Sequence, residues 1–197
     1  MKLSSIYLVF FMLVLASCQN DNTTLIIEQQ KEAKKKEVIF NNINRGWIFN
    51  IAPVEPITQS RINSWMEWRN FLTEINQKPK STIGAFQKKS KALSVKVMDL
   101  NNNIPLEFNK PQIKARIAVV TTKIKSLDLF IHLNQIPDAK VVKLVGEINM
   151  EVEYLQLQME EIVKRSLIPR EDGEPDILSM KDSTRAVPST NIDPDLE

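Results

Sequence analysis

Two apolar repeats joined by a short loop run through residues 113–162, IKARIAVVTTKIKSLDLFIHLNQIPDAKVVKLVGEINMEVEYLQLQMEEI. Their apolar residues alternate at spacings of four and three: Ile113, Ile117, Val120, Ile124, Leu127 and Ile131, then Val141, Val145, Ile148, Val152, Leu155, Met159 and Ile162. Such a repeat gives each helix one apolar seam that faces a partner helix. The loop at residues 134–138 has room only for an antiparallel turn, with Asp138 as the expected N-cap of the second helix. The sequence therefore predicts an antiparallel helical hairpin.

Two further amphipathic helices are predicted upstream of the hairpin, at about residues 58–77 and 81–101. Thr58 is the expected N-cap of the first, because Pro53 and Pro56 disfavour helix before it. The residues predicted to face inward are Ile62, Trp65, Leu72 and Ile75 in the first helix, and Ile83, Phe86, Leu93, Val97 and Leu100 in the second.

A basic helix is also predicted at residues 25–43, ended by Gly46 and followed by an extended apolar segment at residues 47–51. Together these elements predict an all-α fold over residues 25–168, an antiparallel up-and-down helical bundle. It would have three to four main helices plus the N-terminal helix. Residues 169–197 carry four prolines and mostly polar neighbours, and they are predicted to form a disordered C-terminal tail.

The composition suits one globular domain of 197 residues, since 43% of them are hydrophobic and 25% are charged. A net charge of +2 is too small to indicate a nucleic-acid partner. The charge is unevenly distributed, because residues 169–197 hold eight acidic and three basic side chains, a net of −5. Residues 18–168 hold 22 basic and 16 acidic side chains, a net of +6. The sequence thus predicts a basic body with an acidic tail.

The N-terminus has the features of a bacterial lipoprotein signal. Lys2 precedes an apolar run at residues 6–15 that is too short to span a bilayer and is typical of a signal peptide. The segment Leu15-Ala16-Ser17-Cys18 resembles the lipobox of bacterial lipoproteins. The resemblance implies removal of the signal peptide, residues 1–17, and lipid on Cys18, with residues 18–24 as a tether to the membrane. Gln19, in place of aspartate, favours the outer membrane and leaves periplasmic and surface-facing placements both open.

The sequence lacks the residue patterns of common catalytic and metal sites. His132 is the only histidine, so a zinc site would need carboxylates alone around one imidazole. A Gly-x-Ser-x-Gly motif and a glycine-rich phosphate loop are both absent. Glu147 and Glu151 have no Glu-x-x-His partner and indicate a solvated helix face. We predict no catalytic residue, no metal and no cofactor, with His132 at the boundary of the core.

Two clusters are candidates for contact with another molecule. Trp65, Trp68, Arg69 and Phe71 combine residue types enriched at interface hot spots, with packing in the core as the alternative for the aromatic residues. Four lysines of the N-terminal helix form a candidate contact for anionic lipid head groups, with a solvated helix face as the alternative. These are Lys31, Lys34, Lys35 and Lys36.

Three segments give the mature chain a resemblance to the small helical lipoproteins of flavobacteria and other Bacteroidota. They are NNINRGW at residues 41–47, WMEWR at residues 65–69 and QMEEIV at residues 158–163. The resemblance implies location and fold, not an activity. The leading hypothesis is therefore a non-enzymatic adaptor or scaffold at the outer membrane, holding a protein partner in a cell-envelope complex.

Two alternatives remain open at this point. One is a ligand-binding bundle that sequesters a small amphipathic molecule in a cavity larger than roughly 300 Å³ between its helices. The other is an enzyme centred on His132, which needs carboxylates converging on that ring.

Overall fold

The protein is all-α over the part of the chain that the structure describes, residues 21–169. In this computed structural model six helices follow one another within those residues: α1 (Asp21–Gly46), α2 (Pro56–Ile62), α3 (Met66–Ile75), α4 (Ile83–Asp99), α5 (Pro111–Ile131) and α6 (Asp138–Ser166). No strand occurs in the same range. The predicted fold class is confirmed. The predicted signal peptide, Cys18 and the tail from residue 170 onward lie outside the described residues.

The hairpin of α5 and α6 lies at the centre of the bundle. Every residue of the two apolar repeats is buried, and these helices share the most extensive interface of the described chain. Lys123 Nζ of α5 lies 2.8 Å from Glu147 Oε2 of α6, which places the second half of α5 beside the first half of α6. The predicted antiparallel hairpin is therefore confirmed.

The helices before the hairpin continue the up-and-down order. Gln87, early in α4, donates through Nε2 to the carbonyl of Ile131 at the end of α5. Lys89 of α4 lies 2.7 Å from Glu74, late in α3, in an ion pair whose lysine is almost fully buried. The chain thus reverses direction between α3 and α4 and again between α4 and α5.

The start of α6 packs against the end of α1. Pro137, and not the predicted Asp138, is the N-cap of α6; Asp138 is already helical and its carboxylate accepts a hydrogen bond from Asn42 of α1. Gly46 ends α1, as predicted. A Cβ added at Gly46 would come within 2.4 Å of the Val142 side chain. The missing side chain at Gly46 therefore allows α1 and α6 to approach closely.

The single helix predicted at residues 58–77 is in fact two helices, α2 and α3. Asn63 and Ser64, residues of weak helix propensity, follow α2 and precede Trp65, which is the N-cap of α3 with ψ of 90°. The Trp65 indole donates to the carbonyl of Asn102 at 3.3 Å. This tertiary hydrogen bond holds Trp65 in the core at the bend between the helices.

Two predicted helix starts also differ from the structure. The helix α2 begins at Pro56, whose fixed φ suits the first helical position, so Thr58 lies buried within the helix and is not its N-cap. The helix α1 begins at Asp21, four residues before the predicted start at Leu25. Residues 21–24, predicted as part of the tether, are therefore helical.

Residues 47–55, which we call the strap, run extended along α6 and connect α1 to α2. Because the strap belongs to no helix or sheet, its backbone groups need partners elsewhere. Side chains on one face of α6 supply them: Asn149 donates to Ile48 O at 2.8 Å and accepts from Asn50 N at 3.1 Å, Gln156 donates to Ala52 O at 2.8 Å, and Glu160 accepts from Glu55 N at 2.8 Å.

Candidate functional site

The first two thirds of α1 project from the bundle. Every residue from 23 to 38 is exposed, and contact with the core begins at Ile39 and Phe40. At 1.5 Å per residue, these sixteen residues extend about 24 Å. We call residues 23–38 the stalk. The end of the stalk that is farther from the bundle begins within a few residues of Cys18 along the chain.

The stalk carries little net basic charge. Lys31, Lys34, Lys35 and Lys36 are all exposed, as the sequence suggested. Glutamates at positions 28, 32 and 37 lie among them and reduce the net charge of the stalk to +1. This arrangement favours the solvated helix face over a strong contact with anionic lipid.

Three consecutive apolar residues, Leu25, Ile26 and Ile27, are exposed near the beginning of the stalk. Successive residues of a helix point about 100° apart, so these three side chains form a partial ring over about 200° of the circumference and do not form a stripe along the helix. A stripe would suit a single protein groove, whereas a ring of apolar side chains suits a surface that meets the helix end-on.

The helix α6 exposes a second apolar surface on the side opposite its seam. We define its outer face as Gly146, Met150, Tyr154 and Leu157, which follow one another at spacings of four, four and three residues. The side chains of Met150, Tyr154 and Leu157 are 48%, 45% and 52% exposed. Arg116 of α5 lies over the Tyr154 ring at 5.4 Å from its centroid and holds the ring against the bundle.

An ion pair borders this outer face. Lys123 donates to Glu147 at 2.8 Å, and this hydrogen bond lowers the pKa of the Glu147 carboxyl below its ordinary value and raises the pKa of the Lys123 ammonium. Both groups are therefore charged at neutral pH, and the apolar stripe lies beside a charged edge.

The aromatic residues of the predicted hot-spot cluster lie in the core. Trp65, Trp68 and Phe71 are 0%, 1% and 0% exposed, and the two indole rings stack with centroids 5.9 Å apart. Of the four residues proposed as a contact surface, only Arg69 is exposed. The structure thus corrects the partner-binding hypothesis for these three aromatic side chains, because buried side chains offer no surface to a partner.

His132 lies at the C-terminal end of α5 with its ring exposed, so it is a boundary residue. Its Nδ1 is 2.7 Å from the carbonyl of Asp128 and 3.3 Å from the Asp128 carboxylate. The buried Ser90 hydroxyl donates to that same carboxylate at 2.8 Å. In a catalytic triad the histidine lies between serine and acid, where it can take the serine proton. Here Asp128 lies between Ser90 and His132, and the hydrogen bond from Ser90 to Asp128 connects α4 to α5.

Two sizeable clefts lie at the surface of the described residues. One, of about 550 Å³, lies between the start of α5 and the end of α6 and is lined mainly by polar side chains, among them Lys110, Gln158 and Arg165. The other, of about 580 Å³, lies where Gly46 of α1 meets Val142 of α6. Both lie at the ends of α6, outside the seam that joins it to α5.

The described residues were also compared with the requirements of a metal site and of a membrane-spanning helix. Within residues 21–169 no group of three or more His, Cys, Asp or Glu side chains is placed to hold a metal ion. None of the helices in that range combines the length and the apolar character that a membrane span requires.

Comparison with known proteins adds no relative: no family model, no curated protein and no solved structure matches this chain. The resemblance to flavobacterial lipoproteins therefore stays a prediction.

The site that the sequence reasoning missed is the outer face of α6. Its signal was present, because Gly146, Met150 and Leu157 are spaced as one helix face that the seam does not use.

Proposed function

We propose that this protein is a lipid-anchored, non-enzymatic adaptor of the bacterial outer membrane. The lipid on Cys18 attaches the chain, the stalk holds the bundle away from the bilayer, and the bundle binds a protein partner of the cell envelope. One observation carries the proposal: residues 23–38 continue as a helix well beyond the bundle and contact none of its core.

A lipid anchor that holds a domain at a distance from the bilayer needs a spacer, and the stalk can serve as one. Two or three acyl chains on one cysteine hold a protein firmly on a bilayer, whereas a single chain does not. A helix of about 24 Å holds the bundle at a set distance from the lipid head groups, whereas a flexible tether of equal residue number has a similar mean span, about 20–24 Å, but lets that distance vary. The ring of Leu25, Ile26 and Ile27 lies at the bilayer end of this helix and supports the same orientation.

The core of the bundle supports an adaptor over the ligand-binding alternative. A bundle that sequesters an amphipathic molecule needs an apolar cavity between its helices. The residues of the α5–α6 seam are instead buried against each other. The two clefts described above lie at the surface and include charged side chains such as Arg45 and Arg165.

The lipid anchor is tested by replacing Cys18. The wild-type chain should incorporate an alkyne-labelled fatty acid and fractionate with the outer membrane, whereas Cys18→Ala should incorporate none and leave that fraction. Ser17→Ala, which leaves the thiol in place, is the matched control and should behave as wild type. Equal labelling of wild type and Cys18→Ala would overturn the anchor.

The adaptor role is tested by shortening the stalk. Deleting residues 29–35 removes two helical turns, about 10 Å, and leaves every bundle contact in place. A chain with the same seven residues in scrambled order keeps the length and is the control. After crosslinking in cells, wild type and the scrambled chain should recover the same envelope protein in near-stoichiometric amount, and the deletion should recover much less.

Two results would count against this proposal. Equal recovery by the shortened chain would show that stand-off distance does not matter. Recovery of no companion protein by wild type would remove the adaptor role and favour the ligand-binding bundle.

A further inference from the structure

We propose that two copies of this chain pair through the outer face of α6, with the two helices antiparallel and their register centred on Val152. The inference rests on the surface of the bundle alone and does not depend on the lipid anchor or on the envelope partner proposed above.

The outer face is apolar where a helix surface is normally polar. Met150, Tyr154 and Leu157 are each about half exposed, and they lie on the side of α6 opposite the buried Ile148, Val152 and Leu155. Arg116 of α5 covers part of the Tyr154 ring, and all three side chains of the outer face nevertheless remain about half exposed. A helix that already buries one complete seam gains nothing within its own bundle from a second apolar stripe. The stripe is therefore explained by a second helix that packs on it.

Gly146 is the second observation. Glycine in the middle of a helix costs stability relative to alanine, and it needs a reason. The chain contains a glycine whose reason is visible: Gly46 allows α1 to lie against Val142. At Gly146 no atom lies within 4 Å of the position that a Cβ would occupy, so nothing in the described fold requires a glycine there. Close approach of another helix at this point supplies the missing reason.

Charge decides the direction of pairing and identifies the partner as a second copy. Lys143 lies nine residues before Val152 and Glu161 lies nine residues after it, both exposed on the outer side of α6. In an antiparallel pair centred on Val152, Lys143 of each copy faces Glu161 of the other, and the symmetry produces this contact twice. A parallel pair would instead place Lys143 against Lys143, with like charges opposed.

The same register matches the apolar residues. Met150 and Tyr154 lie two residues to either side of Val152, so each faces the other across the symmetry axis. Leu157 of one copy lies beside Gly146 of the other, where the absent side chain leaves room for it. Met150 thus faces an aromatic ring, and Leu157 faces the gap at Gly146, so the side chains of one helix fit between those of the other.

Disulfide trapping in the full-length chain tests this geometry. Two differently tagged chains, one with Met150→Cys and the other with Tyr154→Cys, are expressed together and oxidised in intact cells. The matched control uses Ala118→Cys and Thr122→Cys, which have the same four-residue spacing on an exposed face of α5. The α6 pair should form a mixed disulfide several times more abundant than that of the α5 pair. Equal amounts of the two mixed disulfides would overturn the proposal. This result is also the one expected if the outer face binds a different protein.

A charge exchange tests the direction of pairing. Lys143→Glu in both tagged chains should lower the mixed disulfide about two- to fivefold, because it opposes Glu161 twice. Adding Glu161→Lys to the same chains should restore it, and Lys125→Glu on α5 should change nothing. Failure of the double exchange to restore the disulfide would rule out the antiparallel register.

The wild-type chain, whose only cysteine is Cys18, separates this proposal from the previous one. A Cys18 disulfide in wild type would show an unmodified thiol and overturn the lipid anchor. The comparison of α6 with α5 pairs would still decide self-association.

Discussion

Polar side chains of α6 hold the strap in place. An extended segment outside a sheet leaves its N–H and C=O groups without regular partners, and side chains can supply those partners. Asn149 serves two of these groups at once, since its amide nitrogen donates to Ile48 and its amide oxygen accepts from Asn50. One side chain of α6 thus fixes both the position and the register of the strap.

Replacing Asn149 by alanine should therefore lower the free energy of unfolding by about 1–2 kcal/mol, because two hydrogen bonds are lost together. Urea denaturation followed by circular dichroism measures the change. Asn70→Ala, at an exposed position of α3, corrects for the gain in helix propensity that any Asn-to-Ala change brings. Equal effects of the two substitutions would show that Asn149 does not hold the strap.

The Lys123–Glu147 pair predicts a specific dependence on pH. The hydrogen bond from Lys123 lowers the pKa of Glu147 in the folded protein below its ordinary value of 4.5. A carboxyl whose pKa is lower in the folded state adds stability above its unfolded pKa and loses it as the pH falls through the folded pKa. Glu147→Gln should therefore unfold more easily than wild type near neutral pH.

The difference between the two proteins should shrink as the pH falls through the folded pKa of Glu147, which lies below 4.5. Glu153→Gln, on the exposed side of the same helix, is the control and should follow wild type throughout. A difference between Glu147→Gln and wild type that persisted unchanged in acid would show that the ion pair is not its cause.

Among the elements, α1 is the one whose two parts have different environments. Its last turns, from Ile39 to Gly46, pack on α6 and α4, where Ile43 is fully buried. None of the apolar residues of the stalk packs against the core, and isolated helices of this length are marginal in water. The stalk is therefore the element whose order depends most on what lies around it.

Hydrogen exchange of the full chain in detergent should show this difference directly. Amides at residues 27–38 should exchange much faster than those at residues 41–46, because local opening of the stalk breaks no buried contact. Peptides from α5 and α6 provide the slow reference. Protection of the stalk equal to that of α5 would mean that another molecule covers it, and the stand-off role would then need revision.

At the scale of the whole molecule, the N-terminal elements are joined to the bundle by aromatic packing. The Phe86 ring of α4 lies 5.0 Å from the Trp47 ring of the strap and 6.0 Å from the Phe40 ring of α1, both edge-on. Phe86 is fully buried and contacts two segments that precede it by about forty residues. One side chain thus connects the end of α1 and the strap to the core of the bundle.

Phe86→Ala should lower the free energy of unfolding by about 3–5 kcal/mol, since it leaves a cavity where three elements meet. Leu106→Ala, at a side chain that is 91% exposed, should change it by no more than about 0.5 kcal/mol. Thermal and urea denaturation measure both. A small effect of Phe86→Ala would show that α1 and the strap are held to the bundle by other contacts.

The parts of this fold that follow from local periodicity could be read from the sequence. The alternating repeats of α5 and α6 predicted the hairpin, and the same reasoning identified the inward residues of α4. Residues such as Ile117 and Ile148 repeat with the helical period, and a helix must bury the stripe that they form. The all-α class was therefore determined by the sequence.

The rest depended on which distant groups meet in three dimensions. Asn149 and Ile48 are 101 residues apart, and nothing near either of them indicates the bond that they form. The break before Trp65 depends in the same way on the carbonyl of Asn102. Only the tertiary structure decided that three aromatic residues of the predicted hot-spot cluster are core, and that the outer face of α6 is exposed. Periodicity tells which residues share a face, but only packing determines whether that face is covered.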